Sequence, residues 1–415
     1  MENDNVVLNN LDNPHELERL YRKKPETFEK DFLSAWKQNP DSPVLKVWYE
    51  RLYFQEAESS QKFPKFQKDF FMMVLIAVFA GVTTRLIYDL VEQETIHYVN
   101  LVFGIFPFIA AYFIYKHPPR KNVLFTLLSL FLFAVIFVNV LPKLPDDTIF
   151  LTYLHLPIFL WVLVGIAFTG DDYQSVNKRL AYLKFNGEFL ILYVCIMVGF
   201  IALSIITIAL FHYLSLSVSE FYYINVFIPG GVALAVVVTY LGVSKLKLAK
   251  NVAHYLAKIF SPLVLTTLLV YLIAIIWVKK NPFLDRDFLL TFNIILLIVM
   301  AITIFSIAER GTAKEKNIFD YIHYALISLA LIINSVALSA IIFRLSSYGI
   351  SPNRISVLGT NILIWINFIW VIISYTRFLR NKAGITAIQD AIAKYLPIYG
   401  LWAAFVTFAF PIIFY

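Results

Sequence analysis

Eleven apolar stretches, each of about 20 residues, follow one another between residues 70 and 414 with short polar loops between them. A hydrocarbon core of roughly 30 Å is crossed by about 20 residues of α-helix. Backbone amides find no water there, so a chain that crosses repeatedly does so as helices that satisfy their own hydrogen bonds. The pattern predicts spans near 70–91, 98–115, 122–141, 149–169, 187–214, 221–243, 252–278, 288–308, 319–343, 357–376 and 395–414. The fifth and seventh are long enough to tilt or to begin along the interface. The expected fold class is all-α, a polytopic transmembrane helix bundle of about eleven spans. Composition agrees: 59% of residues are hydrophobic and 15% charged, against about half and a quarter in soluble domains. The single cysteine, Cys195, lies in an apolar run, which excludes a disulfide framework and a cysteine-based metal cluster.

Basic residues set the expected orientation, because lysine and arginine collect in cytoplasmic loops. With the N-terminus cytoplasmic, inner segments hold 27 of the 35 basic residues and outer loops hold six, with Arg85 and Lys258 inside spans. Inner loops such as Lys116/Arg120/Lys121, Lys245/Lys247/Lys250 and Arg377/Arg380/Lys382/Lys394 are each basic. The formal charge of +7 therefore records topology and gives no footprint for nucleic acid. An odd number of spans leaves the C-terminus outside. Residues 1–69 are polar and mixed in charge, so insertion is expected to start at the first apolar segment and not at a cleaved signal peptide.

Residues 1–13 are rich in Asn and Asp and are expected to form a disordered tail. From Pro14 to about Ser60 apolar residues recur at helical spacing: Leu17, Leu20 and Tyr21, then Phe28, Phe32 and Trp36, then Leu45, Trp48 and Leu52. Asn13-Pro14 and Ser42-Pro43 read as helix starts. The expected organisation is thus a tail (1–13), a cytosolic helical region (14–69) and a helix bundle (70–415). So short a cytosolic region buries little core alone. It is expected either to pack on the membrane face or to dock a cytosolic partner through residues 14–60.

Intramembrane charge and amides supply the candidate sites. Arg344 closes the ninth span and Arg354 opens the tenth, with Tyr348, Gly349 and Pro352 between them. Both arginines lie on the expected outer side, against the charge bias. Two guanidinium forks and a tyrosine fit an anion site; equally, they fit a turn whose arginines snorkel to lipid phosphates. Asn334, Ser335 and Ser339 on the ninth span, and Asn361 and Asn367 on the tenth, lie beneath that turn as cavity walls or as interhelical hydrogen-bonding glue. Arg85 and Asp89 stand i, i+4 in the first span, as a self-satisfied pair or as a functional carboxylate held by an arginine. Pro229-Gly230-Gly231 is expected to interrupt the sixth span, as in transporters with broken helices, or to kink it at a close crossing. Asn225 precedes it, and Pro107 is the nearest candidate for a second break.

Other chemistry has little support in the residues. His97, His155 and His212 are scattered singly without metal-ligand spacing, and Gly170-Asp171-Asp172 is a lone doublet. No glycine-rich phosphate loop or nucleophile elbow occurs. No metal and no cofactor is expected.

Trp48-Tyr-Glu-Arg-Leu52, Lys258-Ile-Phe-Ser-Pro-Leu-Val264 and Ser339-Ala-Ile-Ile-Phe-Arg344 through Tyr348-Gly-Ile-Ser-Pro-Asn-Arg354 resemble a bacterial integral membrane family catalogued as a domain of unknown function. The likeness covers most of the chain, and its sharpest mark is the aromatic-Gly-Ile/Phe-Ser/Thr-Pro-Asn-Arg turn. It implies a multi-pass protein of the bacterial inner membrane and brings no activity with it. Three functions stay open. The first is a permease or flippase-like transporter of an anionic or lipid-linked solute. The second is a membrane-embedded enzyme acting on a lipid or lipid-linked sugar, with Asp89 as its base. The third is an assembly or sensing protein that docks a cytosolic partner.

Overall fold

The computed structural model describes residues 5–53, 62–142, 146–213, 215–243, 261–270, 272–273, 277, 286–310 and 316–414. The chain divides into two compact units, Met1–Phe70 and Phe71–Tyr415.

The first unit holds α1 (Pro14–Lys23), α2 (Pro25–Gln38) and α3 (Pro43–Tyr53). Each begins at a proline, whose fixed φ suits the first helical turn and whose missing N–H is not needed there. Asn13 caps α1, its side-chain oxygen accepting from the Glu16 N–H at 3.2 Å. Leu17, Phe28, Phe32, Leu45 and Trp48 form one core. The Phe28 and Trp48 rings lie 4.8 Å apart. Arg51 stacks 4.8 Å over Trp48 and pairs with Glu18 at 2.9 Å, tying α3 to α1. Tyr21, Phe28, Trp36 and Trp48 pack within this unit. Of the expected tail, residues 5–13 are described. Leu8–Asn10 forms a 3-10 turn, Val7 is buried in the core, and the Asn5 amide donates to the Asp31 carbonyl at 2.8 Å. Val7 supplies enough apolar burial to hold a stretch whose composition reads as polar.

The second unit begins within α4 (Lys62–Glu92), of which Lys68–Glu92 has membrane length. A 3-10 segment (Tyr98–Gly104) leads into α5 (Phe106–Lys116). Then come α6 (Lys121–Val140), α7 (Asp147–Thr169), α8 (Val176–Tyr213) and α9 (Ser219–Tyr222), and a π turn (Tyr223–Phe227) leading into α10 (Ile228–Val243). After them stand α11 (Ser261–Val270), α12 (Arg286–Glu309), α13 (Ile318–Tyr348), α14 (Pro352–Leu379), α15 (Thr386–Ala393), α16 (Leu396–Phe408) and α17 (Phe410–Ile413). Among the described residues there is no strand, and ten segments are long and apolar enough to cross a membrane. The protein is an all-α, multi-pass helix bundle. The expected seventh span (252–278), with Lys258 and the Lys245/Lys247/Lys250 loop, lies largely outside the described residues. Its longest described stretch is α11, a ten-residue apolar helix.

These helices are apolar on all sides, so the inner face is set by side-chain size and contact rather than by polarity. On α6, Phe125, Leu128, Leu132, Ile136 and Val140 form an exposed stripe, while Leu127, Ala134 and Val138 face inward. Around α7, one core gathers Phe113, Leu156, Leu160 and Leu163, with Tyr182 and Phe185 from the start of α8. A second core is built by α12, α13, α14 and α15 around Leu296, Ile327, Ala330 and Val371. Ala77 and Ala80 of α4 pack with Tyr112 and Val236 in a third. α16 lies against α7, where Thr152 donates to the Thr407 carbonyl at 3.1 Å. At Gly400 the two helices approach so closely that a Cβ would stand 3.1 Å from Val162.

The final crossing differs from its expected bounds: it runs from Thr386 to Phe408, with a turn at Lys394–Tyr395 before Pro397 restarts the helix. α8 extends 11 residues ahead of the expected start of its span at 187, because the basic segment Val176–Asn186 continues the same helix.

Phe32→Ala removes a fully buried ring at a cost of about 3–5 kcal/mol. The expected outcome is loss of amide protection across α1–α3 in hydrogen exchange on the full-length protein.

Candidate functional site

The turn between α13 and α14 is built as the residues dictate. α13 ends at Tyr348, and Gly349 takes φ +75°, a left-handed value that glycine reaches without strain. Ser351 then accepts from the Arg354 N–H at 3.4 Å, and Pro352 starts α14. The Arg354 side chain folds back, its Nη1 donating to the Tyr348 and Gly349 carbonyls at 2.8 and 2.6 Å. It thus caps the C-terminus of α13. The guanidinium carbons of Arg344 and Arg354 lie 5.8 and 5.7 Å from the Tyr348 ring centroid. The structure therefore brings Arg344, Tyr348 and Arg354 together, and it gives Arg354 a structural task.

Arg85 and Asp89 pair along α4, and the Arg85 Nε donates to the Asn225 side-chain oxygen at 2.8 Å. Asn225 lies in the π turn, where the Ile228 N–H bonds the Tyr223 carbonyl five residues back. Pro229-Gly230-Gly231 does not break the helix: α10 runs through all three residues. Proline has no N–H to give and clashes with the carbonyl four residues earlier, and the widened turn just before it absorbs that misfit. The glycines serve contact. A Cβ at Gly230 would stand 2.8 Å from the Phe200 ring, and the Tyr193 hydroxyl donates to the Gly231 carbonyl at 3.0 Å.

The discontinuity lies instead in the second crossing, between Gly104 and α5, where Pro107 occupies the first turn. Gly104 rests on Thr84 so closely that a Cβ would fall 2.1 Å from its hydroxyl. Asn100 and Asn139 exchange side-chain hydrogen bonds at 2.9 and 2.8 Å. His97 Nδ1 sits 2.5 Å from the Tyr153 hydroxyl.

The intramembrane amides tie helices together. Asn334 donates to the Asn361 carbonyl at 3.0 Å, and Asn361 donates to the Asn293 side chain at 2.9 Å. Asn367 donates to the Ala391 carbonyl at 3.0 Å and accepts from the Tyr399 hydroxyl at 3.2 Å. They close the contacts among α12, α13, α14, α15 and α16. A further buried cluster escaped sequence reasoning. Arg310 holds Asp320 through two hydrogen bonds of 2.9 Å, and Asp320 is fully buried. Asn317 and Asp320 complete a reciprocal cap at the start of α13. The hydrogen-bonded Asp320 carboxylate raises the Arg310 guanidinium above its ordinary pKa. The Asn-x-x-Asp spacing was the one local signal for this site.

Between the core around α7 and the core around α12–α14 runs an elongated slot of about 700 Å³. Its walls come from α7, α8, α12, α14 and α16, and include Trp161, Gly187, Leu297, Thr360 and Trp402. His155 and Thr169 mark its ends on α7, which at 1.5 Å per residue puts them about 21 Å apart. The polar groups along the α7–α8 wall bond each other: the Trp161 Nε1 donates to Asn186 at 3.2 Å and the Tyr182 hydroxyl to the Trp161 carbonyl at 2.7 Å. What remains facing the slot is mostly apolar. Ile158, Trp161, Leu190 and Leu297 line it and are also exposed at the protein surface, so the slot opens sideways. Arg344, Tyr348, Arg354, Asn334, Asn361, Arg85, Asp89 and the Pro229–Gly231 segment do not line it.

No family model matches the chain, and no curated protein and no solved structure matches it either.

Breaking the buried ion pair strands one charge. Asp320→Asn is therefore expected to cost about 3–5 kcal/mol, and Arg310→Met/Asp320→Leu much less, as read from thermal unfolding in detergent. Arg354→Gln removes a helix cap and is expected to lower stability by roughly 1 kcal/mol, with Arg344→Gln close to wild type in the same measurement.

Proposed function

We propose that this multi-pass membrane protein is a flippase-like permease for a lipid or a lipid-linked solute, with the slot as its binding site. The observation that carries the reading is the slot itself. Its volume lies within the roughly 300–1,000 Å³ of small-molecule sites, and its lining suits a hydrocarbon chain. The lateral opening favours a ligand that arrives from the bilayer. Its place between two separately packed cores is where rocking of one helix group against another would carry a ligand across. The resemblance and the charge bias add a bacterial inner membrane with the N-terminus cytoplasmic to this proposal. The enzymatic reading requires a base within reach of the bound molecule. Asp89 belongs to the cluster with Arg85 and Asn225, away from the slot lining, and transport is the better supported reading.

The test is flipping of a fluorescent phospholipid in proteoliposomes. Ala301 and Leu297 line the slot from α12, so Ala301→Trp/Leu297→Trp is expected to reduce flipping to the protein-free background. Ile205→Trp, at an exposed position of α8 outside the slot, is expected to behave as wild type. Full flipping by the slot-filled variant would remove the slot from the pathway.

A further inference from the structure

One permanent charge stands in the slot. Among the described residues that line it, Arg179 is the only lysine, arginine, aspartate or glutamate. It sits in the first turn of α8, at the Thr169 end of the slot. Its Nε donates to the Tyr173 carbonyl at 2.8 Å and its Nη1 to the Ala393 carbonyl at 3.3 Å. These two bonds fix the plane of the guanidinium between the α7–α8 turn and the end of α15. They satisfy donors but supply no opposite unit charge.

The surrounding carboxylates are committed elsewhere. Asp171 pairs with Arg120 at 3.5 Å, Asp390 with Lys394 at 2.8 Å and Glu309 with Lys184 at 3.0 Å. Asp172 is exposed on the same turn and does not line the slot. Among the described residues, no carboxylate lies within ion-pairing distance of Arg179. Arg179 is half-exposed at that end of the slot, and a guanidinium there without a carboxylate partner leaves a place for a ligand to bring the anion. A guanidinium fork matches phosphate oxygens in geometry as well as charge.

Resting on the reading of the slot as a lipid site, we propose that its ligand is an anionic phospholipid, one whose headgroup carries no cation to offset its phosphate. The phosphate engages Arg179, and the hydrocarbon chain runs along α7 toward His155 and Thr360. The length fits: about 21 Å separates the two ends on α7, some two-thirds of a hydrocarbon core of roughly 30 Å. Under the charge-bias orientation the phosphate lies at the cytoplasmic end, level with the inner-leaflet headgroups.

The experiment equilibrates full-length protein with vesicles of equimolar phosphatidylglycerol and phosphatidylcholine, re-extracts it, and measures tightly bound lipid by mass spectrometry. Wild type is expected to hold phosphatidylglycerol in several-fold excess. Arg179→Gln is expected to bind the same total lipid in equal proportions, and Arg179→Lys to keep most of the excess. Undiminished enrichment in Arg179→Gln would overturn the assignment while leaving a lipid slot in place. Undiminished total lipid in Ala301→Trp/Leu297→Trp would instead overturn the lipid reading itself.

A second measurement on unmutated protein covers the case in which Arg179→Gln fails to fold. Phosphatidylglycerol carrying a diazirine at its chain end is expected to cross-link near His155, Ile158 or Leu297. Cross-links confined to Thr169 or Leu183 would place the lipid upside down and overturn the proposal. Stabilisation by inorganic phosphate alone equal to that by phosphatidylglycerol would overturn the choice of a lipid over a soluble anion.

Discussion

Hydrocarbon offers a polar group no partner, and that deficit shapes this bundle more than any attraction between its helices. Ordinary helical bonds settle the backbone almost everywhere. At two prolines the chain changes its winding, with a π turn ahead of Pro229 and a 3-10 segment ahead of Pro107, while Pro157 sits inside α7. Side chains obey the same constraint. The Asn100–Asn139 exchange, the bonds from Asn334 to Asn361 and from Asn361 to Asn293, and the Arg310–Asp320 fork each turn polarity inward on itself. Because these groups largely bond one another, the space left between the two larger cores is mostly apolar, and the charge of Arg179 stands out against it.

How far the molecule could be read from its sequence follows from where each signal resides. A membrane crossing carries its evidence within about 20 consecutive residues, so the helical class and ten of the eleven expected spans were legible. The Arg85–Asp89 pair was legible because i, i+4 neighbours share a helix face. Its third member, Asn225, lies 140 residues away, and no local pattern connects them. Pro229-Gly230-Gly231 reads as a break because proline and glycine usually end helices. The compensation sits in the turn before it, among residues with no distinguishing chemistry. The slot was the least legible feature. Its lining is ordinary leucine, isoleucine and tryptophan from five helices, and only the close packing at Gly187 and Gly400 hints at where helices cross.

The residues that attracted most notice in the sequence are held largely by one another. Arg354 caps its neighbouring helix, and Asn334 and Asn361 bridge α12, α13 and α14. The surface with capacity for a ligand is one that composition alone would class as filler. Where most polar groups bond one another, an arginine on the wall of an apolar slot is more informative than a cluster of arginines at a turn.

The length of α8 has a mechanical consequence. Its 38 residues reach about 57 Å at 1.5 Å per residue, well beyond a core of roughly 30 Å. A helix too long for its bilayer adjusts by leaning or by extending into the interface. The N-terminal half of α8 is also a wall of the slot, through Leu183, Gly187 and Leu190. Membrane thickness and slot width are therefore two readings of one angle: a bilayer that thins or thickens changes the lean of α8, and with it the gap facing α12.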